Sequence, residues 1–202
     1  MKKIILLIVF LISYNLFAAS EFSFDFGYDR QIYGNDRQNS FITRNYTIGL
    51  THFLFDQTAI DLSYSNNTEI NTQNDRFMIT GVYDVISIQS TARTYVYGLG
   101  IKQILVPRGS LLTPILSIGY AKQYVTSSST MTIEDVTDLS RYYRTSESPK
   151  QTYNSISAAF ILQLKLSETI SIKGTVRTLF KAFQYNDAKD NIKYLVGFSW
   201  VF

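Results

Sequence analysis

Large apolar and aromatic side chains recur at every second position through most of this chain, with small or polar residues between them. In 21–33 one face carries Phe22, Phe24, Phe26 and Tyr28, and the other carries Ser23, Asp25, Gly27 and Asp29. In 41–55 the sets are Tyr46, Ile48 and Leu50 against Asn45, Thr47, Gly49 and Thr51. The alternation returns in 58–65, 76–86, 93–105, 111–125, 152–166 and 169–183, and again in 194–202. A period of two puts successive side chains on opposite faces of a strand. Nine strands are therefore predicted, and no helical period of comparable strength follows residue 20.

The connections alternate in length. Phe55-Asp56-Gln57 and Ser167-Glu168 are tight, whereas 34–40, 66–75, 126–150 and 184–190 are longer and polar. Short turns at one end and long loops at the other suit a transmembrane barrel, but single-chain bacterial barrels have even strand numbers. Either one candidate is not a membrane strand, or a tenth hides in 129–137 with Met131 and Ile133 outward. Eight is the preferred number for a chain this short, with ten as the alternative.

Both ends of the chain add to this. Met1-Lys2-Lys3 is a basic head, 4–12 is almost wholly aliphatic, and Phe17-Ala18-Ala19-Ser20 supplies small residues. This is the layout of a secretory signal peptide over 1–20, cut after Ser20 or after Ala19, leaving 21–202 as one domain. At the other end Tyr194, Val196, Phe198, Trp200 and Phe202 form one greasy face that finishes on a terminal Phe. That stretch resembles the assembly signal of bacterial outer-membrane barrels, with Tyr194, Phe198, Trp200 and Phe202 as its recognition face. Over the whole mature length the chain resembles the small outer-membrane barrels of the OmpA/OmpX/OmpW superfamily. The resemblance implies an all-β, antiparallel up-and-down transmembrane barrel in the outer membrane of a Gram-negative bacterium. It also implies contact with outer-membrane lipid and lipopolysaccharide, with the barrel-assembly machinery and with periplasmic chaperones, and a monomeric state.

Composition narrows the chemistry. Of 202 residues 46% are hydrophobic, with 15 Tyr, 14 Phe and no Cys, so disulfides and thiolate metal sites are excluded. The net charge of +3 is interspersed and forms no basic stripe for nucleic acid. If the greasy faces meet lipid, the inward set includes Asp25, Asp29, Asp61 and Asp84 with Lys102, Lys165, Lys173 and Arg177. Small barrels have interiors that side chains fill. Opposite charges in that space are expected to pair into a network, because an unpaired buried charge is costly.

Candidate catalytic groups are few. His52 is the sole histidine and shares the parity of Ile48 and Leu50, so it is read as an interfacial residue without a catalytic partner. No metal, cofactor or catalytic residue is assigned. Residues 105–110 (LVPRGS) match a thrombin cleavage sequence, and the Pro-Arg-Gly within them is ordinary turn chemistry. The expected function is a non-enzymatic surface or structural barrel with exposed loops. A narrow channel for small or hydrophobic solutes is the alternative, and a secreted lipocalin-like binder is the second alternative.

Overall fold

The computed structural model describes residues 19–107, 110–181 and 191–202. The signal-like residues 1–18, Arg108 and Gly109 of the thrombin-like sequence, and residues 182–190 lie outside that set.

Eight long strands form a closed antiparallel barrel. They are β1 (Ser20–Tyr33), β2 (Asn39–Phe53), β3 (Thr58–Gln73), β5 (Tyr83–Ile104), β6 (Leu112–Asp135), β8 (Gln151–Lys165), β9 (Ile170–Lys181) and β10 (Ile192–Val201). Each pairs with the next, and β10 pairs back onto β1 from Glu21↔Val201 to Phe26↔Val196. Ser20 N donates to Phe202 O at 2.9 Å and Phe202 N to Ser20 O at 2.8 Å, so the ladder is closed to the last residue. The two short strands, β4 (Phe77–Met78) and β7 (Arg141–Glu147), stand outside the barrel on the edges of β5 and β6.

The barrel is inside-out relative to a soluble protein. Its buried residues include Asp25, Asn45, Thr51, Lys102, Lys173 and Arg177, while Leu99, Ile101, Ile118, Leu62 and Trp200 are among its exposed large hydrophobics. A soluble carrier would need the reverse, an apolar cavity under a polar skin. The eight long strands close into a cyclic ladder, which leaves no open sheet edge of the barrel facing hydrocarbon. Tyr28, Tyr46, Tyr64, Tyr95, Tyr124 and Tyr194 are the last outward aromatics of their strands at the end away from the termini. Phe22, Trp200 and Phe202 lie outward at the terminal end, so an aromatic girdle borders the apolar band on both sides.

Three boundaries differ from the sequence reading for one physical reason. Segment 76–86 is not a membrane strand: Phe77–Met78 is β4, and residues from Tyr83 onward open the 22-residue β5, which includes 93–104. Segment 129–137 is no tenth strand but the upper part of the 24-residue β6, up to Asp135. Residues 66–73, read as loop, continue β3, and 126–150 is largely strand. Beyond the apolar band both faces of a strand meet water, so the greasy alternation stops while the backbone ladder does not. Together, β4, upper β5, upper β6 and β7 form a sheet that projects beyond the barrel.

The projecting sheet also changes parity. A β-bulge between Val85 and Ser87 inserts an extra residue and turns the strand over above it. Val85 then faces the inner side with Ile133 and Met131, whereas Asp84 lies on the outer side opposite Glu134. Asp84 is thus outside the barrel interior, and Met131 and Ile133 do not face lipid.

Candidate functional site

The interior is built in layers. At the terminal end Phe53, Ala59, Ile104, Ile115 and Ile161 pack into a small apolar floor. Above it sits a layer of charge. Lys173 of β9 reaches across to Asp25 of β1, Nζ to Oδ2 3.0 Å, with both side chains almost fully buried. Gly197 of β10 lies opposite Asp25 in the register, and a Cβ there would collide with the Phe24 carbonyl and the Asp25 carboxylate. The glycine is what leaves room for the acid at the seam.

A second pair closes the layer from the far wall. Lys102 Nζ of β5 lies 2.8 Å from Asp61 Oδ1 of β3 and donates to Thr51 Oγ1 at 2.7 Å. Thr51 Oγ1 in turn donates to Asp61 Oδ1 at 2.8 Å, which makes a closed triangle of lysine, threonine and aspartate. Arg177, two residues along β9 from Thr175, fans its guanidinium onto hydroxyls instead of a carboxylate. Its Nη1 donates to Ser65 Oγ at 2.8 Å and its Nε to Ser157 Oγ at 3.2 Å. Buried charges need such partners, since desolvation alone would be prohibitive.

Above this layer Lys193 Nζ pairs with Glu69 Oε1 at 3.2 Å, and Asn67 Nδ2 donates to the same oxygen at 2.8 Å. Neither Glu69 nor Lys193 was among the sequence candidates. Glu69 fell in a segment read as loop, although it keeps the parity of Asp61 and Ser65. The free volume is divided accordingly. A cavity of about 160 Å³ lies above, lined by Asn45, Ser65, Asn67, Glu69, Arg177 and Lys193. About 40 Å³ remains within the charge layer and about 100 Å³ below it, beside Glu21 and Lys165.

The remaining candidates fall elsewhere. Asp29 has the inward parity, yet it stands beyond the apolar band, exposed, and accepts from Gln31 Nε2 at 3.0 Å. Lys165 is half-buried at the terminal mouth. Asp84 belongs to the projecting sheet, where Arg76 Nε meets its Oδ2 at 2.7 Å. Arg76 also reaches Glu134 at 3.4 Å, and Arg141 meets Glu134 at 3.1 Å, so one chain of charges ties β5, β6 and β7 to the segment before β4. The hydrogen bond that Arg76 donates to Asp84 raises the Arg76 pKa above its ordinary value. Tyr194, Phe198, Trp200 and Phe202 all lie on the exposed outer face of β10. His52 does have a polar partner: its Nδ1 lies 3.1 Å from Ser20 Oγ, directly across the β1–β2 ladder. Among the described residues no cluster of three His, Asp or Glu is arranged to hold a metal ion.

No protein-family model matches the chain, and no curated protein does. Several solved structures share its architecture at very low identity. The N-terminal β-barrel domain of Pseudomonas aeruginosa OprF is 13% identical, with a TM-score of 0.49, over 92% of this chain and 97% of that one. Ail, the attachment invasion locus protein of Yersinia pestis, is 8% identical with a TM-score of 0.41, over 92% and 97%. Neisserial surface protein A is 9% identical with a TM-score of 0.36, over 91% and 94%.

Proposed function

We propose that this chain is a non-enzymatic outer-membrane barrel whose interior is closed by paired charges and whose work is done by the surface it presents outside. The mid-barrel layer carries the reading. The Asp25–Lys173 and Asp61–Lys102 pairs, with Arg177 above them, stand between the small upper and lower cavities. An ion crossing that layer would have to displace a buried partner, which costs several kcal/mol per uncompensated charge. The projecting sheet supports the second half of the reading, since its ion pairs hold exposed Tyr142, Tyr143, Met78 and Leu139 on a rigid framework.

In this reading the terminal end faces the periplasm and the projecting sheet faces the environment. Residues 1–19 serve as the export signal. The backbone pairing of Ser20 with Phe202 favours cleavage after Ala19, which keeps Ser20 in the ladder. Phe202 and the outer face of β10 act as the assembly signal, and the barrel works as a monomer in lipid.

The test is the conductance of the refolded protein in planar bilayers. The expected record is a quiet baseline with the insertion confirmed by heat-modifiable mobility. Steady ohmic steps from the same preparation would refute the closed interior and favour the narrow channel.

A further inference from the structure

The cavity above the charge layer has two unlike walls. Asn45 of β2 and Asn67 of β3 stand directly opposite each other in the ladder, and Glu69 follows two residues on from Asn67 on the same face. Across the lumen, Arg177 of β9 and Lys193 of β10 are also direct partners in the register. One wall therefore presents oxygen acceptors and the other presents cations.

Both walls are incomplete. Asn45 is 5% exposed and Asn67 6% exposed, yet the Oδ1 of each has no hydrogen-bond partner. The Asn67 amide is held in this orientation, because its Nδ2 donates to Glu69 Oε1 at 2.8 Å. A buried carbonyl oxygen without a donor is costly, so two of them on one cavity wall mark a place for a molecule that brings N–H or O–H groups. On the other wall Arg177 commits Nε to Ser157 and Nη1 to Ser65, both hydroxyls. Among the described residues no carboxylate pairs with it.

Size and charge narrow the ligand. The cavity is about 160 Å³. A protein cavity of about 150 Å³ accommodates benzene, so this space suits about six non-hydrogen atoms. An anion alone would sit well against Arg177 but would set its charge against the unpaired oxygens. A cation alone would satisfy those oxygens and be repelled by Arg177 and Lys193. A small zwitterion meets both walls. Its ammonium brings three donors for Asn45 Oδ1, Asn67 Oδ1 and the Glu69 carboxylate. Its carboxylate suits the planar fork of the guanidinium. Glu69 lines the cavity and its side chain is 37% exposed, so the space is reached from the end away from the termini.

We infer that this slot binds a free α-amino acid with a side chain no larger than that of serine, its ammonium toward β2 and β3 and its carboxylate toward Arg177. The site goes beyond the surface role proposed above. The paired charges beneath Arg177 close the lumen to ions and leave the half away from the termini as a dead-end pocket. Asn45, Asn67 and Arg177 are the direct contacts, and Lys193 holds Glu69 in place at 3.2 Å.

Equilibrium dialysis of the refolded mature protein, in neutral maltoside micelles, against radiolabelled L-alanine tests this. The expected result is saturable binding of one alanine per barrel, with unlabelled L-serine competing. Propionate and isopropylamine each carry one of the two charges and should compete at least roughly tenfold more weakly. L-Phenylalanine, about twice the size the cavity takes, should not compete. Asn67→Val and Arg177→Gln should each weaken alanine binding roughly tenfold or more, the worth of one hydrogen bond to a charged group. Asp29→Asn, at an exposed position outside the slot, should leave it unchanged. Heat-modifiable mobility shows which variants are folded, and Asn45→Val replaces Arg177→Gln if the latter lacks it. No saturable binding to the folded wild type, propionate competing as well as alanine, or full affinity in both folded variants would each overturn the slot. Ohmic conductance with alanine binding intact would refute the closed interior and leave the slot standing. A silent, folded barrel that binds no alanine removes the slot alone.

Discussion

Replacing Lys173 with methionine isolates the energetics of the mid-barrel layer. The side chain is nearly fully buried, and its ammonium is 3.0 Å from Asp25 Oδ2. Methionine keeps most of the volume but leaves Asp25 without its cation, beside a second carboxylate oxygen, Oδ1, that already lacks a partner. Removing one member of a buried pair costs about 3–5 kcal/mol. With a urea slope of about 2 kcal/mol per molar, that is a midpoint lowered by roughly 1.5–2.5 M. Trp200 is the only tryptophan, and it lies on β10, the strand between those carrying the two partners, so its fluorescence reports unfolding directly. The double variant Asp25→Leu/Lys173→Met removes both charges and should recover much of the loss, because apolar replacement of a buried pair is often near neutral. Asp29→Asn/Lys173→Met should recover nothing, because Asp29 is exposed and bonded to Gln31. If the midpoint falls by less than about 0.5 M, or if Asp29 rescues as well as Asp25, the layer is not a paired network.

Three further outcomes follow from the same geometry. Gly197→Ala should destabilise the barrel by roughly 1–3 kcal/mol through overpacking at the seam, whereas Gly81→Ala, with open space around it, should leave the urea midpoint unchanged. Deleting Phe202 should cut the yield of assembled, heat-modifiable protein in cells far more than Phe22→Ala; equal yields would show that the terminal strand is not the assembly signal. The turn between β5 and β6, which holds the thrombin-like residues 105–110, emerges at the same end as Ser20 and Phe202. Thrombin should therefore cut only after the outer membrane is permeabilised, and cleavage in intact cells would reverse the orientation.

The sequence shows the barrel clearly because the lipid enforces it. Where a strand crosses hydrocarbon, its outward residues must be apolar and its inward ones must fit a narrow polar space, so Phe22 to Tyr28 or Ile101 to Tyr95 can be recognised at a glance. The same rule explains what stayed hidden. Above Tyr64 both faces of β3 are mostly polar, so Asn66 to Gln73 reads as loop, and Glu69 with it, although the backbone ladder runs on to Ile88 of β5. Pairing partners were equally out of reach. Parity placed Asp25, Asp61, Lys102 and Lys173 inside, but which acid meets which base depends on barrel closure and stagger, which join residues far apart in the chain.

Asp84 shows how a single local event defeats a correct general rule. Counting alternate positions back from Val96, an inward residue, gives Thr94, Ala92, Ser90, Ile88 and Ile86 as inward, and on that count Asp84 too. The bulge at Val85/Ser87 breaks the count, turning Val85 inward and Asp84 outward. The consequence is functional as well as geometric. Without the bulge, Asp84 and Val85 would exchange sides, removing Val85 from its place beside Ile133 and Asp84 from its place opposite Glu134. With it, Asp84 and Glu134 stand side by side, a like-charged pair that is tolerable only because Arg76 bridges them and Arg141 meets Glu134 from β7. The extra residue thus converts a continuation of the barrel wall into a separate sheet with its own apolar inner side and its own charge network.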